Sequence, residues 1–308
     1  MRTPKYLSPS SIHLWQQDRE AYYQRYLSDN KPERSPQNHP CSLGSGFDAI
    51  VKSYIHTCVL GHDANGAYDK RSLFEDQVEK HNWDWCWDAS QDLFDAYKLA
   101  GCVSDLMLEL ERAVGPPSFE FTINDTIDGV PLLGKPDMFF ISKEGFRVIY
   151  DWKCNGHYNM KNEVSDRLKS PSKGYLKLRE AGKTEKTHKL CTPVDHGGIV
   201  INAELYLEEV DKGWADQLAV YSWLLGENVG SENWVAGIDQ LCGGPRLRFA
   251  THRCRVSSLW QEQFFQCAKD LWDTIQSGWI FRDLSESESK GLCQLLDETE
   301  YDDEWGGF

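Results

Sequence analysis

Residues 134–153 read GKPDMFFISKEGFRVIYDWK. On both sides of Lys143-Glu144-Gly145 the chain has strand character. Apolar residues run from Met138 to Ile141, and then Phe146, Val148, Tyr150 and Trp152 alternate with Arg147, Ile149, Asp151 and Lys153. Lys-Glu-Gly supplies turn chemistry, so the stretch predicts a β-hairpin. Taking Glu144 as the centre of the turn, residues equidistant from it face each other, which sets Asp137 opposite Asp151. A bulge at Gly145 would shift that register by one residue. Lys153 lies two positions beyond Asp151 and so projects from the same face.

Two carboxylates directly across a strand pair repel. A divalent cation is the natural neutraliser, and carboxylate oxygens suit Mg²⁺ or Mn²⁺. A nearby ammonium then serves to orient water and stabilise a charged transition state. The plain alternative is an exposed hairpin with ordinary surface charges.

Outward from the hairpin, Phe119, Phe121 and Ile123 alternate with Glu120 and Thr122. With 130–133, 138–141 and, beyond the turn, 146–152, these residues predict a three-stranded meander. Upstream the chain is helical in pattern: a helix over 7–27, a loop over 29–40, a helix from about Gly46, and helical character over 70–114 with a break near Asn82 and Trp83. Gly115-Pro116-Pro117 ends that run. Downstream, 213–225 and 259–277 predict helices, and 234–241 and 247–256 strands, with 199–207 a further strand pair or rim element. The expected fold class is α/β.

The chain has 308 residues, 40% hydrophobic and 26% charged, enough to bury a large core. Twelve Trp, 13 Tyr and 13 Phe exclude a fully disordered chain. No apolar run is long enough for a transmembrane helix, and the first residues read as no secretory signal, so a cytoplasmic protein without membrane partners is expected. Ten Cys are scattered without a C-x-x-C pair; the expectation is reduced thiols and no iron–sulfur cluster.

The net charge of −15 is unevenly spread. Residues 283–308 hold nine acids and one Lys, and predict a flexible acidic tail ending at Phe308 that solubilises the chain, recruits a protein partner or occupies the basic cleft as a DNA mimic. Residues 161–189 hold nine basic and four acidic residues. In this basic stretch Lys161, Arg167, Lys169, Lys173, Lys177 and Arg179, with Tyr175, are candidates for tracking a phosphate backbone while the ring stacks on a base. A solvated loop is the alternative. Gly182-Lys183-Thr184 lacks the first Gly of a P-loop, so no nucleotide cofactor is expected.

Pro136-Asp137 followed by Asp151-Trp152-Lys153 resembles the PD-(D/E)XK nuclease motif. Gly134-Lys135-Pro136-Asp137 resembles the G-x-x-D form of its RecB-like exonuclease branch, and Gln217-Leu218-Ala219-Val220-Tyr221 that branch's Q-x-x-x-Y. Ser8-Pro9-Ser10-Ser11 and Gly44-Ser45-Gly46-Phe47-Asp48 resemble its upstream segments, with Asp48 where the family carries a His. The resemblance spans residues 7–225 with the motifs in order.

It implies a restriction-endonuclease-like core: a central mixed sheet, an antiparallel meander plus further strands, flanked by helices. A single domain over 1–282 would carry a helical region over 7–114 and a basic insertion over 155–212. It implies a metal-dependent DNA nuclease, an exonuclease by preference, in recombination, repair or phage DNA processing. Asp137 and Asp151 would hold Mg²⁺ or Mn²⁺, with Asp48 and Glu120 as further ligand candidates. Lys153 would serve the attacking water, and Gln217 and Tyr221 would position substrate or brace Lys153. The alternative is a catalytically silent module of the same fold that binds DNA ends or a partner protein.

Overall fold

The computed structural model describes residues 2–62, 66, 68–119, 121–155, 170–242 and 247–278. Glu120, Lys161, Arg167, Lys169 and the acidic segment 283–308 lie outside them.

Helices come first. Ser8 caps α1 (Pro9–Gln17) in a capping box, with Pro9 in the first turn. Asp18 then breaks the expected single helix over 7–27. Its backbone is extended, and its carboxylate caps α2 (Arg19–Tyr22) by accepting from the Ala21 amide. A single π-helical turn, Tyr23–Leu27, follows. Next, α3 (His39–Val59) begins several residues before Gly46, because Asn38 caps it and Pro40 fits its first turn. After it come α4 (Lys70–Gln77), α5 (Trp83–Leu99) and α6 (Cys102–Glu111), with a short 3₁₀ turn over Lys80–Asn82 where the break was expected.

The strands are β1 (Ser118–Phe119), β2 (Ile123–Ile127), β3 (Val130–Gly134), β4 (Met138–Ile141), β5 (Arg147–Asn155), β6 (Lys177–Arg179), β7 (Pro193–His196), β8 (Ile199–Asn202), β9 (Trp234–Cys242) and β10 (Arg248–Cys254). The helices among them are α7 (Leu207–Val210) and α8 (Lys212–Leu224), and α9 (Ser258–Ser277) follows β10. The central sheet has six strands in the order β1-β4-β5-β9-β10-β6. Its neighbours are antiparallel except β5 and β9, which run parallel with α8 in their connection. The fold class is therefore as expected: mixed α/β, a mixed sheet between helices.

The expected meander is corrected in one respect. β2 and β3 pair with each other as a separate hairpin, bridged at Leu132 by Leu7, and β1 pairs directly with β4. Lys135-Pro136 divides the apolar run 130–141 into β3 and β4, since Pro136 offers no amide to a ladder. The insertion expected over 155–212 contributes β6 to the sheet edge and β7 and β8 as a second small hairpin.

Alternation along β5 serves two cores. Val148, Tyr150 and Trp152 pack toward α3, α5 and α6, while Ile149 packs with Leu218 and Tyr221 of α8. A third cluster joins α1, α8 and α9. The α3–α5 contact depends on Gly46. A Cβ there would lie 2.2 Å from Ser90 Oγ and 3.0 Å from the Phe74 ring. Gly46→Ala is expected to destabilise the fold by about 1–3 kcal/mol, seen as a lower urea midpoint; an unchanged midpoint would contradict this packing.

Candidate active site

The hairpin register positions the site. Met138 faces Tyr150 and Phe139 faces Ile149, the register centred on Glu144, without a one-residue slip. Just before β4, Asp137 meets the β5 backbone: its Oδ2 accepts from the Trp152 amide at 3.0 Å. Asp151 and Lys153 project from the α8 face of β5. Asp151 is only 2% exposed, and the Lys153 ammonium forms an ion pair with its Oδ2.

One turn of α8 completes the arrangement. Lys153 Nζ donates to Gln217 Oε1 at 2.6 Å, and Gln217 Nε2 donates to the Tyr221 hydroxyl at 2.7 Å and reaches Asp151 Oδ1 at 3.5 Å. The i,i+4 spacing puts Gln217 and Tyr221 on one helix face. That helix sits unusually close to the end of β3. A Cβ on Gly134 would lie 2.6 Å from Tyr221 Cδ1 and 2.9 Å from Leu224 Cδ1. Glycine in the G-x-x-D segment is thus what lets Tyr221 approach the carboxylates.

Burial, and after it the neighbouring Asp137 carboxyl, push the Asp151 carboxyl up to about 7 against the opposing pull of Lys153. Two carboxyls this close, one of them buried, favour either a shared proton or a cation. The donors are hard oxygens, which fits Mg²⁺ or Mn²⁺ rather than a thiophilic metal. Among the described residues no three His, Cys, Asp or Glu side chains converge as ligands. The protein thus offers a carboxylate pair, the usual minimum for Mg²⁺, which retains waters and takes substrate phosphate oxygens for the remainder.

The other expected residues lie elsewhere. Asp48, on α3, pairs at 2.5 Å with Lys52 one turn on, and Lys52 in turn stands 3.6 Å from Asp137 Oδ1. Lys177 and Arg179 are not brought to the carboxylates. Both project from the opposite sheet face, where each pairs with Asp105 of α6, and Arg179 also with Glu185 at 2.7 Å. Tyr175 packs edge-on against His188 and His252, and Lys173 is exposed.

The sequence reading missed Lys52, whose only signal was its four-residue spacing from Asp48. It also missed the charges behind β5. There Trp152 Nε1 donates to the Tyr97 hydroxyl at 3.4 Å, Tyr97 donates to Asp239, and Arg253 stands 3.5 Å from Asp239 and 3.4 Å from Glu109.

A cleft of about 350 Å³ adjoins the site, lined by Ser8, Ser10 and His13 of the α1 end, Lys135, Gln217 and Tyr221. Asp216 lies at its floor, 5% exposed, accepting from Trp260 Nε1 at 2.8 Å.

No family model matches the chain, and no curated protein matches it. Among solved structures, the chain is similar to the crystal structure of a "Putative exonuclease" from Eubacterium rectale. The identity is 12% and the TM-score 0.45, over 90% of this chain and 83% of that one. No helix among the described residues is long and apolar enough to cross a membrane.

Burial pushes the Asp216 carboxyl up to about 6. The folded state therefore holds a proton there that the unfolded chain releases near its ordinary value. The associated stability is complete below about pH 4 and is lost as pH rises through about 6. Asp216→Asn, which keeps an acceptor for Trp260 and never ionises, is expected to gain on the wild type by up to about 3 kcal/mol between about pH 4 and about pH 8. Denaturant midpoints at the two pH values measure this, and an equal difference at both would contradict it.

Proposed function

We propose that the chain is a metal-dependent nuclease of the PD-(D/E)XK type, RecB-like branch, that hydrolyses phosphodiester bonds in DNA, with exonucleolytic cleavage favoured by that resemblance. The observation that carries the reading is the meeting of Asp137, Asp151 and Lys153 where the start of β4 meets the interior strand β5, with Gln217 bonded to the lysine. A surface hairpin with incidental charges has no cause to bury Asp151 or to brace Lys153 from a separate helix.

On this reading Asp137 and Asp151 hold Mg²⁺ or Mn²⁺, and the bound cation supplies charge neutralisation at the phosphodiester and activation of water. The chain's own groups do the rest. The Lys153 ammonium, fixed between Asp151 and Gln217, faces the charge that develops on the phosphoryl oxygens. Gln217 is itself fixed by Tyr221, so the lysine is aimed before substrate arrives. The cleft beside Gln217 and Tyr221 offers hydroxyls, an imidazole and Lys135 to the polar backbone of a nucleic acid strand. Exposed Lys173 is a candidate contact to the same backbone. Recombination, repair or phage DNA processing is the setting this chemistry suits.

The test is cleavage of 5′- and 3′-labelled single- and double-stranded DNA with Mg²⁺, Mn²⁺ or chelator. Asp151→Ala and Lys153→Ala are each expected to lower cleavage by at least about 10²-fold while the circular dichroism spectrum is retained, and chelator to abolish it. Full activity in both variants would refute the assignment. Chelator-insensitive DNA binding without cleavage would support the silent-module alternative instead.

A further inference from the structure

Lys52 has no part in the motif resemblance, yet it lies at the centre of the acidic cluster. Its side chain is only 4% exposed. Its ammonium is 2.5 Å from Asp48 Oδ2 and 3.6 Å from Asp137 Oδ1, so it bridges α3 to the start of β4. A lysine is rarely buried to this degree unless paired, and the carboxylates of Asp48 and Asp137 are paired with it here. Among the described residues, Lys52 and Lys153 are the cations set against Asp48, Asp137 and Asp151. Each lysine takes a different side of the cluster: Lys153 lies with Asp151 and Gln217, Lys52 with Asp48 and Asp137.

We propose that Lys52 is a built-in cation that holds the Asp48 side of the cluster, so that the site takes up one divalent ion, at Asp137 and Asp151, and not two. This deepens the nuclease reading and rests on it. A two-ion site needs carboxylate oxygens for each ion, with the ions about 3.5–4 Å apart. Here Asp48 is committed to an ammonium, and a second dication beside it would meet a like charge at contact range. Lysine suits this position because its ammonium is a compact point charge on a flexible stem, able to sit where an ion would. Asp48 is then a partner to Lys52 and not a metal ligand. The same arrangement accounts for how the cluster is held together before any metal arrives.

The experiment is Mn²⁺ titration of the full chain without DNA, with free Mn²⁺ followed by electron paramagnetic resonance. The wild type is expected to bind one Mn²⁺ per chain. Lys52→Met, which keeps the stem and removes the charge, is expected to bind two. Lys52→Arg and the double variant Asp48→Asn/Lys52→Met are expected to return to one, the first by restoring a cation and the second by removing the released carboxylate. Two ions on the wild type would overturn the proposal, as would a single ion on Lys52→Met whose thermal melt shows it folded. If Lys52→Met does not fold, Lys52→Gln takes its place: two ions are expected, and a single ion on the folded variant overturns the proposal. The two failures are distinguishable: a wild type that binds no Mn²⁺ and cleaves no DNA sinks the nuclease reading, whereas two ions with normal cleavage sinks only the role of Lys52.

Discussion

The site depends on a register. A five-residue link of Ser142 to Phe146, closed by the Ser142 amide on the Phe146 carbonyl at 2.8 Å, fixes which residues of β4 and β5 face each other. Because side chains alternate along a strand, a slip of one residue would send Asp151 and Lys153 into the apolar core beneath α3 and α5, and Tyr150 and Trp152 toward α8. The large aromatics Tyr150 and Trp152 fit only one of those environments, so packing and turn geometry impose the same answer. The acids meet because hydrophobic residues elsewhere on the same two strands have nowhere else to go.

That placement is reinforced from both faces. On one, Gln217 and Tyr221 of α8 hold Lys153. On the other, Trp152 rests on buried Tyr97, Asp239 and Arg253, with half-buried Glu109 beside Arg253 and the Arg253 guanidinium 4.5 Å from the centre of the Tyr150 ring. Buried charges are tolerated when paired and become costly when one partner is removed. The strand between Tyr150 and Lys153 is thereby tied to helices on both sides. Such pre-orientation is what a site needs if binding energy is not to be spent on arranging it.

Much of this was legible in the sequence because it is periodic or local. The hairpin register followed from turn position alone, and α8, α9, β9 and β10 followed from runs of 3.6- or two-residue spacing. What escaped was decided by single residues or by distant partners. Asp18 ends one helix and starts another; Pro136 splits one apolar run into strands of two different sheets; β6, only three residues long, exists through its pairing with β10. At the site, the acids and Lys153 were visible as a motif. The burial of Lys52 was not, since an i,i+4 Asp–Lys pair on a helix is usually a solvated surface feature. Lys177 and Arg179 were legible as basic residues, but their partner Asp105 lies more than seventy positions upstream.

Asp137 and Asp151 are proposed as the seat of a divalent cation. The most direct measurement is a crystal of the wild-type chain grown with Mn²⁺, with data collected for anomalous scattering. An anomalous peak is expected within about 2.0–2.4 Å of a carboxylate oxygen from each of Asp137 and Asp151. A peak held by other residues, or none beside an intact pair of carboxylates at saturating Mn²⁺, would contradict it.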